Sequence, residues 1–332
     1  MTSSSSTFAP RIVTIGGGSG QYAVLQSLIR LTPHITAIAC MVDDGGSTGR
    51  LRRELGVRPA GDLRQCLLAL AGKDAHPHLH ALMNYRFQGG SLDGHNFGNL
   101  LLAAYEKVTN NFVEAVQYIG HLMHIQGNVF PVTLDDQVLV ATLEDDSAVE
   151  GQRPIEEQTM QNRLFIKDLK LKSPVRLYEP ARKAILEADL VLISPGSIVS
   201  SILPNFLVQN FVETLRETPA RVVAVCNFFS KPGQYRIACA GDLLSLYTTF
   251  LGEKTLDAAF VNSGTFPPEV LEVSKNRGDT LIAPAVPQKD LQIIKENFVG
   301  ENIVTSPQDY TLRSLVRHDS LALEQTIRAL LA

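Results

Sequence analysis

Three consecutive glycines, Gly16, Gly17 and Gly18, followed by Ser19 and Gly20, separate an apolar run from a helical pattern. Upstream, Arg11-Ile-Val-Thr-Ile15 reads as a buried strand; downstream, Val24, Leu25, Leu28, Ile29 and Leu31 recur at helical spacing. A turn this poor in Cβ atoms lets backbone N–H groups approach an anion at the start of the helix, where the dipole favours negative charge. The loop lacks the Gly-Lys-Ser/Thr ending of a P-loop, which argues against an ordinary ATPase. Shifted by two, Gly18-Ser-Gly-Gln-Tyr-Ala23 fits the G-x-G-x-x-A form of the dinucleotide fingerprint, which makes NAD an alternative ligand. Spacing alone leaves open a phosphate cradle and a purely structural turn.

A second apolar run, Ile35 to Val42, ends in Asp43-Asp44-Gly45-Gly46-Ser47-Thr48-Gly49-Arg50. Carboxylates at the carboxyl end of a parallel strand lie where open α/β sheets bind ligands. They suit ribose hydroxyls, a Mg²⁺ ion shared with phosphate oxygens, or merely solvated loop charge. Adjacent residues of an extended chain point opposite ways, so one of the pair is expected to face the ligand, and Asp44 is taken over Asp43. Asp62, in Pro59-Ala-Gly-Asp-Leu-Arg64, suits either an N-cap of its own helix or a ligand contact. Of the arginines near these loops, Arg50 and Arg64 are the candidates for a phosphate.

Ser194-Pro195-Gly196-Ser197 follows another buried run, and its amides and the Ser197 hydroxyl suit a second phosphate or a sugar oxygen, with a routine strand–helix turn as the plain alternative. Asn227 closes the next strand and suits a base or sugar edge, since an amide can both donate and accept. No residue stands out as catalytic. His76, His78, His80, His121 and His124 lack fixed ligand spacing, so no metal site is expected.

Strands alternating with helices predict an α/β fold, a doubly wound, mostly parallel Rossmann-like sheet. A helical insertion is expected at about 62–124 and a small β-hairpin region at about 129–178, where the apolar period changes to two from Val129. Helices are also read from about Pro204 to Arg216, just after Pro287, and near Leu321 to Leu331. Residues 1–10 read as a disordered tail and 11–332 as one domain.

At 332 residues and 45% hydrophobic content the chain can bury a large core without staples. A net charge of −4 with dispersed Lys and Arg does not suit nucleic acid as a partner. Cys40, Cys66, Cys226 and Cys239 show no paired spacing and read as reduced thiols, so the cytoplasm is the expected compartment. The Ser/Thr-rich first ten residues lack the charged and apolar regions of a signal peptide, and no apolar run is long enough to insert in a membrane.

Several motifs together resemble one family. Ile15-Gly-Gly-Gly-Ser-Gly20, Val42-Asp-Asp-Gly-Gly-Ser-Thr-Gly-Arg-Leu-Arg52, Pro59 to Arg64, Gly94-His-Asn-Phe-Gly-Asn99, Ser194 to Ser197, Ser201-Ile-Leu-Pro-Asn205, Cys226-Asn227 and Lys231-Pro-Gly233 are similar, in order, to the YvcK-type gluconeogenesis factors. These are relatives of CofD, the phospholactate transferase of coenzyme F420 synthesis. The resemblance implies a nucleotide-sugar ligand such as UDP-N-acetylglucosamine, held between the loops around Gly16 and Gly196. It also implies a regulatory role linking carbon metabolism to cell-wall synthesis and cell shape, through a protein partner it does not identify. Homodimerisation is left open. A CofD-like Mg²⁺-dependent group transfer is the alternative, and an NAD-dependent oxidoreductase using His95 comes third. Two stretches depart from the family pattern: Ile198-Val199-Ser200 stands where relatives carry Tyr-Thr, and Phe228-Phe229-Ser230 where they carry Met-Thr-Gln.

Overall fold

The computed structural model describes residues 9–71, 77–287, 290–303 and 316–332. Its strands in chain order are β1 (Ile12–Gly16), β2 (Ile35–Ala39), β3 (Asn128–Pro131), β4 (Leu139–Leu143), β5 (Ala148–Glu150), β6 (Ile166–Leu171) and β7 (Leu190–Ile193). Then follow β8 (Arg221–Val225), β9 (Phe229–Ser230), β10 (Ala258–Asn262), β11 (Thr280–Leu281), β12 (Gln292–Glu296), β13 (Val299–Ile303) and β14 (Val316–His318). Seven of them form one parallel sheet in the order β12-β10-β8-β7-β1-β2-β3.

Successive residues of a strand point to opposite faces, so a strand buried at every position has both faces covered. β1 and β7 are buried throughout, as are all but the first residue of β8 and the last of β10. That explains their continuous apolar runs. Helix α1 (Gly18–Leu28) returns from β1 and packs on α3 (Gly61–Leu70) and on the C-terminal helix Ser320–Leu331. Between β2 and β3 the chain builds α2 (Gly46–Leu55), α3, α4 (Pro77–Asn84), α5 (Phe97–Thr109) and α6 (Phe112–Leu122). Asn96 caps α5 by accepting from Asn99 N, and Asn111 caps α6 by accepting from Glu114 N.

The structure differs from three readings of the pattern. Val129 belongs to β3, the parallel edge strand of the main sheet, and the antiparallel patch is β5-β4-β6 with α7 (Gln152–Asn162) inside it. Residues 198–217 are a π-helical turn at Ile198–Ile202, a short helix at Leu203–Phe206 and a separate one at Phe211–Glu217. After Pro287 the expected helix is strand β12. Leu291, Ile293 and Ile294 are all half-buried there, so the segment carries no clean period of two, and pairing with β10 decides its state.

His318 on β14 is buried, stacks on Phe228 at 3.8 Å between ring centroids and donates from Nε2 to the carbonyl of Cys226. Phe228, one of the family departures, is thus a core ring. Burial pushes the imidazole down to about 4, although the Cys226 bond opposes the shift. The unfolded chain takes up a proton below about pH 6.5 that the folded chain refuses until about pH 4, so the folded state loses stability as pH falls through that window. Denaturant melts from pH 7 to pH 4 should show a loss of about 3 kcal/mol from this residue, and His318→Phe should flatten that part of the profile.

Candidate functional site

In the order of the parallel sheet, β1 lies between β2 and β7, so the chain winds outward in opposite directions from β1 and β7. The crevice at the carboxyl ends of such a pair is where doubly wound sheets bind ligands. Both glycine-bearing turns, Gly16 to Gly20 after β1 and Ser194 to Ser197 after β7, sit there.

The two turns interlock. A Cβ on Gly20 would lie 1.9 Å from the carbonyl oxygen of Pro195, and one on Gly17 would lie 2.0 Å from Asp62 Oδ2. Gly18 adopts φ +62, a left-handed conformation that favours glycine. Asn227 ties the second turn to β8: its Oδ1 accepts from Gly196 N at 3.2 Å and its Nδ2 donates to Gly196 O at 2.6 Å. The amide expected to read a base or sugar edge therefore braces the loop.

The acids are distributed differently from the expectation. Asp62 is not the N-cap of its own helix, a position that falls to Ala60. From the first turn of α3 its Oδ1 accepts from Gly18 N at 2.9 Å, so its charge sits at the positive end of α1. Asp44, the member of the pair expected to face a ligand, caps α7 by accepting from Gln152 N at 2.9 Å and Arg153 N at 2.8 Å. Asp43 is the one that turns toward the crevice. Its Oδ1 accepts from Gly45 N, and its Oδ2 would be 2.8 Å from a Cβ on Gly61.

Glu156 on α7 is a residue the sequence reading missed. Burial raises its pKa, hydrogen bonds with Gln152, Ser200 and Ser197 oppose the rise, and nearby Asp43 adds to it. Ser197 Oγ donates to Glu156 Oε1 at 3.3 Å and accepts from Ser200 N. Gln152 Oε1 and Ser194 Oγ, both on buried side chains, have no hydrogen-bond partner among the described residues. No periodicity marks α7 as part of the site, because the antiparallel sheet carries it there from a distant part of the chain.

The basic candidates lie elsewhere. Arg64 is buried and donates to Asn99 Oδ1 at 2.9 Å, Met83 O at 3.0 Å and Asn84 Oδ1 at 3.2 Å, locking α3 to α4 and α5. Arg50 donates to the carbonyl of Asp93 at 2.7 Å and so holds the Gly89–Gly94 loop. Ser47 stands in a Gly45-x-Ser47-x-Gly49 spacing, the pattern of a hydrolase elbow. Its Oγ is buried, accepts from Asn96 N at 3.1 Å and lies 3.3 Å from His95 Nδ1, so it staples α2 to the start of α5. His95 is buried too; burial and then the Arg50 charge lower its pKa. His76 lies outside the described residues.

Residues 12–299 match the family described as 2-phospho-L-lactate transferase CofD. The chain belongs to the CofD family. Within that family it is 34% identical over 313 residues to the gluconeogenesis factor of Bacillus subtilis, covering 94% of this chain and 95% of that one. It is 36% identical over 264 residues to the gluconeogenesis factor of Listeria innocua, covering 79% and 80%. A Bacillus halodurans protein of known crystal structure shares the fold with a TM-score of 0.86 at 28% identity, covering 97% of this chain and 100% of that one. Among the described residues of this CofD-family protein no helix is long and apolar enough to cross a membrane.

Proposed function

We propose that this CofD-family protein binds a nucleotide sugar, UDP-N-acetylglucosamine or a close relative, in the β1/β7 crevice and acts as a cytoplasmic regulator linking carbon metabolism to cell-wall synthesis. The observation that carries this reading is the meeting of two glycine turns at the switch point of a parallel sheet. Amides of the first turn of α1 beyond Gly18 and the Ser197 amide of the second turn, where Asn227 already takes the Gly196 N–H, would hold the pyrophosphate. The opposite wall accepts hydrogen bonds: Asp43, Glu156 and the unpaired Gln152 Oε1 suit a ligand rich in hydroxyl donors. Ribose and sugar hydroxyls meet that requirement, and a free inorganic phosphate does not.

Asp62 sits on Gly18 N and sets a condition on the ligand. A pyrophosphate oxygen at that amide has to displace a carboxylate of like charge, so the phosphates belong on the neighbouring amides while Asp62 accepts from a hydroxyl.

A second reading, group transfer of the kind the family description names, is favoured by the same carboxylates. Mg²⁺ commonly takes one or two carboxylates together with substrate phosphates, and Asp43 with Gln152 Oε1 supplies hard oxygen donors beside the glycine turn. In that case the ion would neutralise charge on a leaving phosphate. The likeness to gluconeogenesis factors ranks this reading second.

Calorimetric titration with UDP-N-acetylglucosamine, with and without Mg²⁺ and alongside NAD, tests the assignment. The expected result is saturable, metal-independent binding of the UDP-sugar without turnover, weakened about tenfold in Gln152→Leu, the loss of roughly one hydrogen bond to a ligand. Absence of binding with and without metal overturns it, and Mg²⁺-dependent product formation from a nucleotide-linked phospholactyl donor establishes the transferase instead.

A further inference from the structure

The helices that precede β8 and β10, Phe211–Glu217 and Ala240–Leu251, border a groove of about 490 Å³ toward the amino ends of those strands, at the opposite end of the sheet from the crevice. Its floor is apolar: Phe206 and Val208 are buried, and Val212 and Phe250 are half-buried. Phe206 packs edge-on against the buried Tyr247 ring at 5.7 Å between centroids, so this floor is preformed. The rim carries one charge of each sign, Glu213 and Arg216. Residues three apart on a helix share a face and ordinarily pair. Here they do not. Arg216 Nη2 donates at 2.6 Å to Leu251 O, the last carbonyl of the Ala240–Leu251 helix. Gly252 makes room for it, since a Cβ there would lie 2.1 Å from Nη2. This anchor draws the guanidinium away from Glu213, whose carboxylate makes no hydrogen bond or ion pair among the described residues.

We propose that this groove is a binding site for a free amino acid with an apolar side chain. The α-carboxylate pairs with the guanidinium of Arg216, which has further N–H donors once one nitrogen has capped the helix. The α-ammonium lies on Glu213, and the side chain rests on Phe206, Val212 and Phe250. A free amino acid carries both charges on the carbon that bears its side chain, whereas a peptide separates them to its two ends. An anion alone would face the Glu213 carboxylate unpaired, and a cation alone would face Arg216. Because the guanidinium is already held by Leu251 O, little further ordering opposes binding, unlike at a freely moving surface arginine. The groove shares no residue with the crevice between β1 and β7, so this assignment is independent of what the crevice binds.

Calorimetric titration of the full chain with L-phenylalanine and L-leucine tests the proposal. Two analogues run alongside: 3-phenylpropionate, which lacks the ammonium, and phenethylamine, which lacks the carboxylate. The expected result is saturable, single-site binding of at least one of the amino acids, with both analogues weaker than L-phenylalanine by at least about tenfold, the loss of one charge-assisted contact. Glu213→Gln should weaken the amino acid by a similar factor, leave 3-phenylpropionate no weaker and keep the melting profile unchanged, because that carboxylate has no partner in the chain to lose. Arg216→Gln should weaken the amino acid too, but it also uncaps a helix, so Glu213→Gln keeps the test decisive if the arginine variant folds poorly. Absence of binding by both amino acids at millimolar concentration overturns the proposal. So does binding that Glu213→Gln leaves intact, or an analogue that binds as tightly as the amino acid.

Discussion

Replacing Gly20 by alanine is expected to abolish UDP-sugar binding and to destabilise the fold by about 3 kcal/mol, the upper end of the usual overpacking range. The added methyl would lie 1.9 Å from the Pro195 carbonyl oxygen and 2.6 Å from its carbon, and both are backbone atoms. No rotamer change relieves that contact, so α1 and the turn after β7 must move apart. The crevice opens where its two anion-binding turns should converge. Gly46→Ala is the matched control: no atom lies within 4 Å of the new Cβ, and only the left-handed φ of +50 is penalised, at about 1 kcal/mol. Thermal melts and the calorimetric titration on both variants check this. Wild-type affinity in a folded Gly20→Ala protein would remove the crevice from the ligand site.

Arg64→Met should destabilise the protein by about 3–5 kcal/mol, at roughly 1–3 kcal/mol for each buried acceptor left without its donor. Methionine fills much of the space, but Asn99 Oδ1 and Met83 O lose their guanidinium donors away from water, and Asn84 Oδ1, on an exposed residue, loses a third. A Cβ on Gly98 would lie 2.6 Å from Arg64 Cδ, so the arginine is built into the packing of α5 as well as its hydrogen bonds. Arg64→Lys should recover little, because one ammonium cannot reproduce the planar fork that reaches acceptors from three directions. Denaturant melts read the effect. A folded Arg64→Met protein of native stability with weakened UDP-sugar binding would return Arg64 to the phosphate role.

The parallel sheet and its order of elements were legible because burial on both faces produces unbroken apolar runs, as in Ile12 to Ile15 and Leu190 to Ile193. The glycine turns were legible because close backbone approach excludes a side chain, and at Gly20 the structure meets that requirement literally. Residue type alone could not divide the acids between tasks. Asp43 and Asp44 are chemically identical neighbours, yet one turns toward the crevice and the other caps a helix more than a hundred positions along the chain. Arg64 resembled a phosphate ligand because a guanidinium suits an anion and a cluster of carbonyls equally well. Burial under α4 and α5 decided between them.

The sequence by itself determined the alternation of strand and helix, the two turns that must be free of side chains, and membership of the CofD family, since these rest on local periodicity, on steric demands at single positions and on motifs read in order. Only the tertiary structure decided that Asp62 occupies the N-terminal amide of α1, that Asn227 braces Gly196, and that α7 brings Glu156 and Gln152 into the crevice. Each of these is a contact between segments far apart in the chain, and the preference of a carboxylate or amide for a partner is set by which groups folding places within about 3 Å of it.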